Sequence, residues 1–223
     1  MNVTILPQTV KNPITFMGEC AGIAYDSDIS DNAKNYRRGR QCVADNHGRL
    51  LEFCDVFMII QGASCRVMRE FMRHVGDGLT AVQRSTRYVS ESQFDCFFPQ
   101  DILNDKEKKK KYAKIMNDVR TGYNELVDMG VSKEDAANVL PLGMNTTVVL
   151  KKNARCLMDM SRVRLCSRTY EEYRRLMKMI VDNLKQYSQE WEKLADELFK
   201  PNCEALGYCP EKFGCGKYPN LAK

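Results

Sequence analysis

With 223 residues, 43% of them apolar, the chain is long enough to bury a core of its own, and 34 Lys and Arg against 29 Asp and Glu leave a net charge of only +5. That surplus favours anionic partners, but it is small and the basic residues are interleaved with few aromatics, which argues against a nucleic-acid-binding module. No apolar run reaches membrane-spanning length, and Met1 to Pro7 has neither the charged nor the long apolar region of a secretion signal, so the expectation is a cytoplasmic protein without membrane contact.

Residues 1–30 alternate apolar and polar around Pro7 and Pro13, which predicts a short strand and loops. Ser30 and Asp31 can cap a helix running toward Asn46 through Ala33, Tyr36, Cys42 and Val43, ended by His47-Gly48. Glu52 to Ile60 is rich in aromatic and β-branched residues and predicts a strand closed by Gly62. Ser64 can cap the next helix, whose apolar spacing at Val67, Met68, Phe71 and Met72 places Arg73 and His74 in its last turn, where the dipole favours cations. Gly76 and Gly78 stop it.

The segment that follows is too short and too polar to be core, yet it sets Arg84 and Arg87 around Ser85 and Thr86. Guanidinium forks bind phosphate bidentately and hydroxyls fill its remaining acceptor sites, so the composition suits a phosphorylated small molecule. A solvated basic loop would have the same composition.

Gln93 to Pro99 is aromatic and extended. A long helix follows from Asp105, with Tyr112, Ile115, Met116, Val119, Tyr123, Leu126 and Val127 on one face and Gly130 as its C-terminal cap. Lys108 to Lys111 lie at its exposed start and read as a solvated face. Ser132 with Asp135 predicts a short helix ending before Pro141, Thr146 to Leu150 a strand, and Asn153 to Val163 a helix ending near Arg164. Thr169 and Glu172 form a capping box for one final helix, buried along Tyr173, Leu176, Ile180, Leu184, Tyr187, Trp191, Leu194 and Leu198.

Strands mixed with helices without βαβ regularity indicate an α+β fold, a mixed or antiparallel sheet packed against long helices. Residues 1–200 would form the main domain and 201–223 a tail. Seven of the ten cysteines are scattered singly and should be reduced and packed as small hydrophobes. Cys203, Cys209 and Cys215 are evenly spaced in the tail, without paired knuckles or a fourth ligand, so no metal is expected.

Asn153-Ala154-Arg155-Cys156-Leu157-Met158 with Arg164 nine residues after Arg155, taken with Arg73-His74 and Ser85-Thr86-Arg87-Tyr88, resembles the flavin-dependent thymidylate synthase family. His47-Gly48-Arg49-Leu50-Leu51-Glu52, the stretch Ser64 to Arg73, and Leu140-Pro141-Leu142 extend the resemblance in order, over roughly residues 20 to 190. It implies methylation of dUMP to dTMP, with methylenetetrahydrofolate as carbon donor and FAD, reduced by NADPH, as hydride source. It also implies a homotetramer whose sites lie between subunits.

Carried over by residue, Arg73, His74, Asn153 and Arg155 would contact FAD, with Val75 and Asp159 at neighbouring flavin positions. Glu70, Arg73, Gln83, Arg84, Ser85, Thr86 and Arg87 would line the dUMP site, and Arg164 would be the catalytic residue that activates the uracil. No protein nucleophile is implied, which leaves the cysteines without a catalytic role.

The chain departs from the family pattern at four places. Val75 replaces the second arginine of the usual Arg-His-Arg, Ser85 lies two residues further on with Gly76 and Gly78 in the longer loop, Ala137 replaces an arginine, and Asp159 stands at a frequent Asn position. The glycine-containing loop and the cysteine-bearing tail resemble a divergent branch of the family. Alternatives are a related enzyme making another 5-substituted pyrimidine nucleotide, or a flavin-free nucleic-acid-binding module using Arg84, Arg87 and Lys108 to Lys111.

Overall fold

The computed structural model describes residues 1–76 and 80–220; Gly78, assigned above to the stop of a helix, lies outside the described residues. Four strands, β1 (Asn2–Ile5), β2 (Asp55–Ser64), β3 (Thr80–Gln83) and β4 (Asn145–Asn153), form one antiparallel sheet in the order β1-β2-β4-β3. Together with the helices this is the expected α+β class. No helix among the described residues is long and apolar enough to cross a membrane.

The residues cluster into two compact units. The first holds Met1–Asn2, Ile60–Arg73 and Ala81–Val149. Of the described residues, the second holds Val3–Ile59, 74–76, Thr80 and 150–220.

The second unit contains α1 (Pro13–Ile23) and α2 (Asn32–Ala44). The loop expected around Pro13 is corrected to helix: Pro13 occupies the first helical position, where its missing N–H costs nothing and its fixed φ favours the turn. Asp31 caps α2 as expected, accepting from the backbone N–H of Ala33 and Lys34. Helices α1 and α2 cross at glycines, because a Cβ on Gly18 would fall 1.8 Å from the Asn35 carbonyl oxygen and one on Gly39 1.9 Å from that of Ile14. A 3-10 turn, Gly48–Phe53, then leads into β2. Gly62 does not close β2; it lies within the strand at φ +71, a conformation open to glycine, and β2 runs on to Ser64.

In the first unit α3 (Cys65–Phe71) is capped by the Ser64 hydroxyl, which accepts from the Val67 N–H. It ends at Phe71, so Arg73 and His74 lie beyond the last turn and Gly76 plays no part in stopping it. The segment read as too short and too polar to be core contains β3, at the edge of the sheet. After α4 (Gln100–Leu103), α5 (Lys106–Asp128) buries only Met116 and Tyr123 of its apolar stripe. Gly130 at φ +88 follows it and Ser132 caps α6 (Lys133–Ala136), both as expected.

The rest of the second unit is helical: α7 (Ala154–Arg164), α8 (Glu171–Tyr187), α9 (Gln189–Leu198) and α10 (Asn202–Leu206). The capping box of Thr169 and Glu172 is not made; the Thr169 hydroxyl donates to the Val163 carbonyl and Glu172 is fully buried. The single final helix is also corrected. Ser188 is extended, at φ −161 and ψ 158, and its hydroxyl accepts from the Trp191 N–H, so a second cap starts α9. Trp191 anchors α9 by donating its indole N–H to the Val10 carbonyl at 2.6 Å.

Candidate active site

Helix α7 presents two arginines in different directions. Asn153 starts it, its side-chain oxygen accepting from the Cys156 N–H at 2.8 Å. Nine residues separate Arg155 from Arg164, two and a half turns at about 3.6 residues each, so the two guanidiniums leave opposite sides of the helix.

Arg155 pairs with Asp159 at 3.3 Å, and Asp159 also meets Arg162 at 3.6 Å. Its Nη1 occupies space that only a glycine leaves open, since a Cβ on Gly48 would lie 1.6 Å away. Beside it is a cavity of about 160 Å3 walled by His47, Gly48, Leu51, Met158 and Arg162. That is room for a ring system rather than a dinucleotide.

Arg164 ends α7 and turns to His74. Its Nε donates to His74 Nε2 at 3.2 Å, and its guanidinium lies 4.4 Å over the ring of the fully buried Tyr173. The His74 ring meets Tyr173 edge-on, with centroids 6.3 Å apart and planes at 81°. The main-chain carbonyl of His74 accepts from the ammonium of Lys152, and Cys156 Sγ approaches the same oxygen at 3.9 Å. Val75 next to it is exposed.

Arg164 also borders a cavity of about 440 Å3 shared with Arg168, Arg174, Cys166, Cys203 and Cys215. Cys215 is exposed, and hydrogen bonds from the Ser167 hydroxyl and the Lys217 backbone hold its thiol below the usual range. All ten cysteines are free thiols, and no group of three or more metal-binding side chains occurs among the described residues.

The phosphate-type cluster belongs to the first unit. The Arg84 N–H donates to the Thr147 carbonyl at 2.8 Å, setting the chain as it leaves β3. The Arg84 side chain pairs at 2.6 Å with Glu91, itself buried, while the Glu91 N–H donates to the Tyr123 hydroxyl. Burial pushes the Glu91 carboxyl above its usual range and Arg84 opposes that shift.

Ser85 turns its hydroxyl to the Arg87 N–H at 3.2 Å, and Thr86 beside it is half-buried. Arg87 pairs with Glu134 at 2.9 Å, but both side chains are more than half exposed, so the pair contributes little and exchanges readily. Gln83 ends β3 and Glu70 lies half-buried in the last turn of α3, while Arg73 is exposed just past that helix.

The structure therefore joins His74 directly to Arg164 and Arg155 to Asp159, and gathers Arg84 to Arg87 on one turn. Three contributors went unread in the sequence. Gly48 was legible as a helix end within the His47 to Glu52 stretch but not as the neighbour of Arg155, and Glu91 carries no local signal. Lys152 does: Thr146, Val148, Leu150 and Lys152 are the inward series of β4, so continuing the alternation two residues past Leu150 places a lysine in the core.

Comparison with known proteins bears on this geometry. Residues 6–188 match the model of the family described as thymidylate synthase complementing protein. A flavin-dependent thymidylate synthase of Pyrococcus furiosus is 28% identical, over 89% of this chain and 82% of its own. One of Clostridium tetani is 27% identical over 100% of this chain and 96% of its own. Among solved structures, the flavin-dependent thymidylate synthase ThyX of Helicobacter pylori, complexed with FAD and dUMP, superposes with a TM-score of 0.67 at 17% identity, covering 87% of this chain and 99% of that one. A UMP/dUMP methylase, PolB of Streptomyces cacaoi, bound with 5-Br dUMP, gives 0.70 at 15% identity, covering 87% and 94%. At these identities the structural likeness is one of fold.

Proposed function

This chain belongs to the thymidylate synthase complementing protein family, and we propose that it is a flavin-dependent thymidylate synthase that methylates dUMP to dTMP, with methylenetetrahydrofolate as carbon donor and NADPH as reductant. The observation that carries the reading is Arg164, a planar cation braced by His74 and Tyr173 at the end of α7.

A pyrimidine becomes nucleophilic at C5 when negative charge developing on N3 and its neighbouring carbonyl is stabilised. A guanidinium keeps its charge at any working pH and presents its donors in one plane, which suits that task. In this reading the guanidinium of Arg164, held through Nε by His74, meets the ring. On the other substrate end, Ser85, Thr86 and Arg87 supply two hydroxyls and a fork for the phosphate. Arg87 exchanges its exposed Glu134 partner for the phosphate, whereas Arg84 is tied to Glu91 and shapes the turn. Gln83 and Glu70 flank the nucleoside.

The residues present fit one end of FAD in chemistry: Arg155, His47 and Arg162 set cationic and donor groups around an apolar-floored cavity with room for one ring system, as an anion with an attached ring requires. Arg73, His74, Asn153 and Arg155 would hold the group, which supplies the hydride when bound. Arg155 and Arg164 look out from opposite sides of α7, so one chain does not direct both at one flavin and nucleotide. That supports sites completed by neighbouring subunits; the assembly we propose is a homotetramer, working in the cytoplasm. Light scattering at working concentration should give the tetramer mass; a monomer would contradict it.

The reading is tested by titrating the purified protein with FAD and then dUMP while following the flavin absorption, and by assaying tritium release from C5-labelled dUMP. Retained flavin whose bands shift on adding dUMP, with tritium release, is expected. Colourless protein that releases no tritium would refute it. Gly48→Ala should push the Arg155 guanidinium aside without unfolding the chain, because the clash is with the tip of a flexible side chain. We expect FAD to bind about tenfold more weakly, the loss of one charge-assisted hydrogen bond, measured by quenching of flavin fluorescence.

A further inference from the structure

We propose that Lys152 is a positioning residue for the reaction: its buried ammonium holds the main-chain carbonyl of His74, and the imidazole so placed holds the Nε–H of Arg164. This inference rests on the reading of Arg164 as the group that meets the pyrimidine.

Lys152 is fully buried at the end of β4, on the inward side that otherwise carries Thr146, Val148 and Leu150. An aliphatic residue would fill that position without taking a charge out of water, a cost of several kcal/mol per ion that must be offset by polar partners. One polar partner of the ammonium is the His74 carbonyl, on a segment outside any regular element. Helix α3 ends at Phe71, and His74 lies in the irregular segment after it. Rotation of the backbone there would carry the imidazole with it, and the Lys152 contact opposes that rotation.

Lys152 pins the main chain at one end of residue 74 and Arg164 engages the ring at the other, while Tyr173 packs against both the ring and the guanidinium. The three side chains thus form a chain of contacts from the sheet to the donor that faces the substrate. Because Arg164 can only donate, His74 Nε2 must be the acceptor and the ring proton must sit on Nδ1.

The chain has two histidines, His47 and His74, so the ring is observable in the protein as it exists. Nitrogen-15 NMR of the wild type, assigned with His47→Gln, should show a pyridine-type Nε2 and a pyrrole-type Nδ1 for His74. A protonated Nε2 would overturn the proposal whatever any variant does. Lys152→Met should melt cooperatively, bind dUMP with a KM within about threefold of wild type, and lose tenfold or more in kcat, while the two His74 nitrogen signals move toward their tautomeric average. Lys152→Arg, which keeps a cationic donor, should recover part of the kcat and the separated signals.

A folded Lys152→Met protein with unchanged kcat and unchanged His74 signals would overturn the proposal. So would a loss of stability with the His74 signals intact, which is what a purely structural lysine predicts. If the wild type itself releases no tritium from dUMP, the functional reading fails, and the His74 signals still decide whether Lys152 places the ring.

Discussion

Replacing Arg164 with lysine is expected to lower kcat by two to three orders of magnitude while leaving the KM for dUMP within a few-fold. In the structure Nε donates to His74 at 3.2 Å and the guanidinium carbon lies 4.4 Å over the Tyr173 ring, contacts that orient the group. A lysine ammonium is a point charge on a flexible stem. It has no plane to stack and cannot serve His74 and the pyrimidine with a fixed fork. In the proposed function the phosphate falls to Ser85, Thr86 and Arg87 rather than to Arg164, so binding is expected to survive. Loss of an aimed charge-stabilising donor costs about 10²–10³ in rate. Single-turnover tritium release from C5-labelled dUMP isolates the step, and a rate within twofold of wild type would remove Arg164 from the mechanism.

Gly39→Ala, together with Gly18→Ala, should be among the most damaging single-methyl changes in the described fold. Its Cβ would fall 1.9 Å from the Ile14 carbonyl oxygen, a backbone atom that moves only if α1 and α2 part. Gly18→Ala meets the Asn35 carbonyl at 1.8 Å from the facing helix. Overpacking against backbone lies at or beyond the upper end of the usual 1–3 kcal/mol range, so each should lose about 3 kcal/mol or more and roughly 6–12 °C in Tm. Gly122→Ala is the control: nothing lies within 4 Å of its Cβ position in α5, and alanine there should be neutral or stabilising by about 0.5–1 kcal/mol. Thermal denaturation of the three variants checks this. Equal melting of all three would mean that the glycines do not set the α1–α2 distance.

The helix starts were legible because caps are local. Asp31, Ser64, Asp105, Ser132 and Asn153 each accept from backbone N–H groups two or three residues ahead, so the acceptor and its donors fall within one short reading frame. The same locality misled at Thr169 and Glu172. A capping box is spelled there, but the Thr169 hydroxyl bonds backward to Val163 and Glu172 is taken into the core. Pro13 was legible only as a breaker, whereas at the first helical position it is a starter.

Family membership and the type of chemistry were in the sequence by itself, since the ordered motifs from His47 to Arg164 survive without any knowledge of contacts. The arrangement of the site was not. His74 meets Arg164 across 90 residues, Lys152 reaches the His74 carbonyl across 78, and Gly48 shapes the place of Arg155 from a different turn. Such pairings depend on how strands and helices pack, and no periodicity within a segment encodes the partner. Residue type dictated which groups could bind phosphate, flavin and pyrimidine. Tertiary packing decided which of them are committed elsewhere, such as Arg84 to Glu91, and which are aimed, because a donor is directed only when a second element holds it in place.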